Sequence, residues 1–225
     1  MIKNKLLDFF KIKEKSWYYE YRYFKFKKKF QIFHKFGLNE NSIVIDLGSN
    51  VGDVTKFISK NYNSTIYSYE PNIHAFNIQK SRLSNINKIY FFNQCVDVGN
   101  GEKKIFFHQK AKTGGDVEYS HASSLDSNKS NVSNQNYKIV KSTSIEDIID
   151  NFDYIDLIKI DIEGYEYEIM PTLIKNKHKI KNVICELHGN PAYKNKYNNY
   201  EEKYKNLINE LNQLNLINSW FVEWY

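Results

Sequence analysis

Ile43-Val44-Ile45-Asp46-Leu47-Gly48-Ser49-Asn50-Val51-Gly52-Asp53 is the stretch whose reading decides the fold. Three apolar residues run into an acid and then a loop with two glycines, and Val54, Phe57 and Ile58 follow at helical spacing. A run apolar on both faces suits a parallel strand buried between helix layers. Glycine lets the backbone turn sharply and approach a ligand closely. The unpaired amides that open the next helix can receive an acceptor or an anion. Strand, nucleotide-type cofactor loop and helix is the functional reading; a plain strand–helix connection shares the same pattern.

The next strand separates the two. Thr65-Ile66-Tyr67-Ser68-Tyr69 is β-branched and aromatic and ends in Glu70-Pro71. Glu70 stands 22 positions after Gly48, close to the offset of an acid that accepts hydrogen bonds from ribose hydroxyls at the tip of a second strand. Pro71 and Asn72 suit a helix start. The loop reads Gly48-x-Asn50-x-Gly52. A dinucleotide fingerprint needs its second and third glycines for the pyrophosphate and for helix packing; here the middle position is Asn50 and the position three beyond Gly52 is Thr55, so pyrophosphate binding is disfavoured.

With Val44-Ile45-Asp46-Leu47-Gly48-Ser49-Asn50-Val51-Gly52, Glu70-Pro71 and Asp161-Ile162-Glu163-Gly164-Tyr165-Glu166, the chain resembles the FkbM-like family of S-adenosylmethionine-dependent methyltransferases. The resemblance spans roughly Ser42 to Pro191. Its D-x-E-G-x-E element is the most specific part. It implies an α/β fold: a Rossmann-like class I methyltransferase sheet, mostly parallel with helices on both faces, preceded here by a helical N-terminal extension.

With 225 residues, the chain is long enough to bury the core of one domain. Residues 1–37 carry eleven Lys or Arg against Asp8, Glu14 and Glu20, a balance of +8, so the remainder sums to −2 against a whole-chain charge of +6. They also hold 12 aromatics. The bland reading is one or two helices that pack an aromatic face on the sheet and leave the lysines solvated. The sharper one is a membrane surface, contacted peripherally, or nucleic acid. Residues 38–225 are read as the methyltransferase domain. Met1 to Asp8 offers only a Leu6-Leu7 pair before charge returns, so a cytoplasmic protein without signal peptide or membrane span is expected, membrane-peripheral at most. Cys95 and Cys185 are placed on the third and fifth strands of one sheet, about 19 Å apart and unable to pair.

Strands are expected over 43–47, 65–70 and 88–95, with helices over 52–60 and 72–84. Lys103-Lys104-Ile105-Phe106-Phe107 is expected as an antiparallel addition at the sheet edge. Residues 111–137, with Gly114-Gly115 and a Ser/Asn-rich run, read as a substrate lid or a disordered insertion. Ser144 caps a short helix, and Ile155–Asp161 is the fourth strand. A helix over 164–175 should be interrupted near Pro171. Asn182–His188 is the fifth strand. A helix over 199–215 presents Leu207, Leu211 and Leu214 on one face, and Trp220-Phe221-Val222 is a last strand. That leaves the usual seventh strand missing or an element misplaced.

Asp46, Glu70, Asp161 and Glu186 each end a strand on the side where such sheets bind ligands. From the resemblance follow the site roles. Gly48, Ser49, Asn50 and Gly52 pass the methionine portion of S-adenosylmethionine. Glu70 with Pro71 holds the ribose, and Asp97 or the backbone at Cys95-Val96 borders the adenine. Asp46 fixes the loop. Asp161, Glu163 and His188 are the candidate catalytic groups, with Asp161 also near the cofactor. His121, Ser123, Ser124, Glu186 and His188 face the substrate. A lone histidine such as His188 is more often structural than catalytic. A divalent metal at the cluster of acids and His188 is a minority reading that the resemblance does not require. The implied acceptor is a hydroxyl of a sugar, a glycan precursor or a related small molecule. Replacing Glu70 or Gly48 is expected to abolish cofactor binding and spare the fold. Two other classes remain open here: an NAD(P)-dependent oxidoreductase, and a non-enzymatic membrane or nucleic-acid module built on residues 1–37.

Overall fold

The structure is a computed structural model, and it describes residues 17–191 and 200–224. The part of the N-terminal extension before residue 17, and the expected helix start at 199, lie outside them. Six strands form one sheet: β1 (Ile43–Leu47), β2 (Thr65–Tyr69), β3 (Ile89–Phe92), β7 (Leu157–Ile160), β8 (Val183–Cys185) and β9 (Phe221–Glu223). Their order is β3-β2-β1-β7-β8-β9 and every pairing is parallel. Among the described residues this sheet has no seventh strand.

Strand alternation divides the core in two. Val44, Ile66, Leu157 and Ile184 point to one face, where they meet Val54, Phe57 and Ile58 of α2 (Asp53–Tyr62). Ile45, Leu47, Ile158, Ile160, Val183 and Cys185 point to the other. There they pack under α4 (Ile145–Asp150), α5 (Glu166–Lys175) and α6 (Glu201–Gln213). The N-terminal segment completes the first face. Residues 17–26 form α1, and Lys29–Phe36 form a 3₁₀ helix whose Phe30, Phe33 and Phe36 are buried. With three residues per turn, a phenylalanine at every third position falls on one side. Phe30 and Phe33 pack on Phe57 and Trp224, and Phe36 packs on Phe33, while Lys27, Lys28, Lys29 and Lys35 stay exposed.

Several expectations are corrected. The strand expected over 88–95 is broken: Asn93 donates its amide to the carbonyls of Glu70 and Pro71, and the chain then leaves the main sheet. β4 (Cys95–Asp97) joins β5 (Gly101–His108) and β6 (Val132–Ser144) in a separate sheet of order β4-β6-β5. Lys103–Phe107 is therefore no edge of the main sheet. The end of the supposed lid, from Val132, is ladder paired antiparallel to β5. Ser124 bridges to Phe106, which ties the middle of that segment down as well. α5 runs through Pro171 without a break. Leu207 and Leu211 are buried, but Leu214 follows the helix and is 40% exposed. The fifth strand is only three residues long. Cys95 and Cys185 are free and buried, although they sit in different sheets.

Candidate active site

β1 runs into a loop with three left-handed residues, Gly48 (φ 73°), Asn50 (φ 51°) and Gly52 (φ 83°). A Cβ on Gly48 would stand 1.8 Å from the carbonyl oxygen of Asp161, so the loop rests directly on backbone at the end of β7. Glu70, just past β2, holds the loop from the other side. The Asn50 N–H donates to Glu70 Oε2 at 2.7 Å and the Asn72 N–H donates to Oε1 at 2.7 Å. Burial pushes the Glu70 carboxyl up to about 7 in spite of these two bonds and the Lys159 charge. Each oxygen keeps a second lone pair.

Lys159 lies beneath the loop, in the middle of β7 and buried. Its ammonium donates to the carbonyls of Leu47 (3.2 Å) and Gly48 (2.7 Å) and stands 3.2 Å from Asp46 Oδ1. Thr55 Oγ1 donates to the other Asp46 oxygen at 2.6 Å. Burial alone would depress the lysine, but Asp46 and Asp161 outweigh it and the net shift is upward.

The chain after β7 turns through Glu163 (φ 60°) and Gly164 (φ 103°). Tyr200 packs against Gly164 so closely that a Cβ would lie 2.5 Å from its hydroxyl oxygen. The turn exposes Asp161 and Glu163 to the same cleft with opposite proton affinities. Burial and the Glu186 carboxylate raise Asp161 well above the usual carboxylate range. Burial would raise Glu163 too, but Lys129 and His188 bind it and hold it below that range. His188 is sandwiched, Nε2 3.2 Å from Glu163 and Nδ1 3.0 Å from Glu166. Burial would lower its pKa; the two carboxylates instead push it up to about 11.

Two openings meet here. The first is a cleft walled by Gly48, Asn50, Glu70 and Pro71 on one side and by Gln94, Cys95, Val96 and Ile105 on another. Ser120, His121, Ser123 and Leu125 cover it, and Asp161, Ile162 and Glu163 close its end. The second is a groove between α1 and the sheet, reaching Arg22, Phe26, Lys29 and Trp224. Gly48, Asn50, His121 and Asp161 border both.

The loop, the acid after the second strand and the paired-acid turn after β7 all lie at the carboxyl ends of parallel strands, where sheets of this kind bind their ligands. Residues 46–216 match the family model described as Methyltransferase FkbM domain. The chain belongs to the FkbM methyltransferase family. No curated protein matches it.

Within this FkbM fold the expected residues divide. Gly48, Asn50, Glu70, Pro71, Val96, His121, Ser123, Asp161 and Glu163 come together around the cleft. Ser49 borders the groove instead, its hydroxyl 3.1 Å from Gln79 Oε1. Gly52 does not reach the cleft; it opens α2 and packs where a Cβ would meet Gln79 Cγ at 2.7 Å on α3 (Ile73–Leu83). Asp97 also points elsewhere. Tyr165 donates to it at 2.8 Å and Lys103 pairs with it, so of the two expected adenine borders only Cys95-Val96 lies on the cleft. Ser124 is committed to the Glu163 carbonyl, donating at 2.7 Å. His188 stands between Glu163 and Glu166, and the two carboxylates favour its protonated form. Glu186 is half-buried behind Asp161 and acts on it through charge. Of the acids that a metal would need, Glu163 is joined to Lys129 and His188, and Asp161 lies 3.9 Å from Lys159. Sequence reasoning missed Lys159, Lys129 and Gln94. A lysine inside Leu-Ile-Lys-Ile was a legible signal for the first; nothing marked the other two.

Proposed function

We propose that the chain transfers a methyl group from S-adenosylmethionine to a hydroxyl of a sugar, glycan precursor or related small molecule. The observation that carries this reading is the position of Asp161, at the junction of cleft and groove, with a raised proton affinity. The donor fits the cleft on chemical grounds. The free lone pairs of Glu70 suit two ribose hydroxyls, the apolar surface of Val96 and Ile105 suits an aromatic base, and the carboxylates of Asp161 and Glu163 suit a cationic sulfur. When bound, S-adenosylmethionine supplies an electrophilic methyl group on that sulfur.

The chain's own residues supply the rest. The groove admits the acceptor from the side of α1, and its hydroxyl is brought beside Asp161. Displacement at a methyl group is in line, so most of the catalytic effect is alignment of the two reactants. Asp161 takes the hydroxyl proton in its ionised form, which a cationic sulfur beside it would favour. Glu163 stays ionised as a fixed charge, clamped by Lys129 and His188. A pair of carboxyls driven apart in pKa is the usual sign of divided roles. Thermal shift tests the donor. S-adenosylhomocysteine should raise the melting temperature, since a ligand that binds the folded state stabilises it, while NAD(P) should not. A shift with NAD(P) alone would overturn the reading.

A further inference from the structure

We propose that α1 seats the protein on an anionic lipid surface, its outer aromatic stripe in the headgroup layer and its lysines on the lipid phosphates. Trp17, Tyr21 and Phe24 follow one another at i, i+4 and i+7, on one side of the helix. They are 72%, 55% and 66% exposed. Trp17 and Tyr21 stack, with ring centroids 5.9 Å apart. The opposite side of α1 is the packed one: Tyr19 is buried, and Arg22 pairs with Asp53 on α2 at 2.9 Å. The helix therefore has an inner face that the fold uses and an outer aromatic face that, among the described residues, nothing covers.

Charge identifies the occupant. Lys25, Lys27, Lys28 and Lys29 flank the stripe and are exposed. Lys27 lies over the Phe24 ring at 4.4 Å, keeping a cation beside the aromatic surface. The sequence before α1 adds Lys3, Lys5, Lys11, Lys13 and Lys15 against Asp8 and Glu14. Aromatic rings with polar edges settle at the membrane interface, and basic residues beside them are drawn to anionic headgroups. A second copy of this chain would bring the same positive charge against itself. Nucleic acid shares the charge but needs no continuous aromatic stripe. Phe26 and Lys29 of this segment also border the groove that leads to Asp161, so a seated helix would open the groove next to the lipid surface.

The test uses the full chain with phosphatidylcholine vesicles and with mixed phosphatidylcholine–phosphatidylglycerol vesicles, read by co-sedimentation and tryptophan emission. Binding to the mixed vesicles and a blue shift are expected, with little binding to phosphatidylcholine alone. Trp17 is the most exposed tryptophan, Trp220 being 5% exposed, so Trp17→Phe should keep binding and lose most of the shift. Lys25→Gln/Lys27→Gln/Lys28→Gln should weaken binding on the order of a hundredfold, from about 1 kcal/mol per basic residue near the surface. Trp17→Ser/Tyr21→Ser/Phe24→Ser should weaken it by at least roughly tenfold, with circular dichroism confirming an unchanged fold. No binding to mixed vesicles, binding that neither triple variant weakens, or a Trp17 emission that stays unshifted would each overturn the proposal. So would self-association or RNA binding that depends on the stripe while vesicles are ignored.

Discussion

Asp161 and Glu163 stand two positions apart, yet their surroundings drive them to opposite proton affinities. The cause is which cations each can reach. Glu163 is turned by its left-handed backbone onto Lys129 and His188. Asp161 faces Glu186, and Lys159 comes no nearer than 3.9 Å. If Asp161 takes the acceptor proton, Asp161→Asn should lower kcat by roughly 10²–10⁴-fold. Titration calorimetry on the same variant should show donor binding nearly unchanged. A variant that keeps its turnover would move the base elsewhere. The motif letters pointed to these residues, but the division of labour depends on partners 25 to 34 positions away, Glu186 from Asp161 and His188 and Lys129 from Glu163, which no local spacing reveals.

β7 carries the second lesson. Its buried Lys159 ties the β1 loop, Asp46 and the Asp161 turn together. Lys159→Met keeps the length and volume but leaves Asp46 buried without its cation. Breaking such a pair costs about 3–5 kcal/mol, so the urea midpoint should fall accordingly; an unchanged midpoint would show that the lysine is not a support. The main sheet was legible because Val44, Ile45, Ile66, Leu157 and Ile158 follow the pattern of strands buried on both faces. The second sheet was not. Residues 132–137 read Val-Ser-Asn-Gln-Asn-Tyr, with no alternation, and their register on β5 is irregular, Tyr137 pairing with Phe106 and Val132 with His108. Likewise the turn at Asn93 depends on the carbonyls of Glu70 and Pro71, and the Arg22, Arg82 and Asp53 contacts that bind α1 to α2 and α3 join residues about 30 apart. Replacing Gly48 was expected to spare the fold, yet its bare backbone also lets the loop touch Asp161. A larger residue there should disturb the loop itself.

At the level of the whole protein, titration joins site and stability. His188 rises from 6.5 to about 11 on folding. A group whose pKa is raised by folding stabilises fully below its unfolded value, and that contribution is lost as pH climbs towards the folded one. Urea midpoints of the wild type should therefore fall between about pH 7 and 9 relative to His188→Gln; parallel profiles would mean the imidazole is not held protonated. Glu70 titrates in the opposite sense for binding. Its carboxyl ionises near 7, and only the ionised form accepts from both ribose hydroxyls. The measurement that bears most directly on the proposed activity is calorimetric titration of the full chain with S-adenosylhomocysteine from pH 6 to pH 8. Saturable binding should tighten by up to roughly tenfold per pH unit below about 7 and level off above it, with Glu70→Gln weak and flat. Absence of binding across that range, or affinity that ignores both pH and Glu70, would contradict a donor site in this cleft.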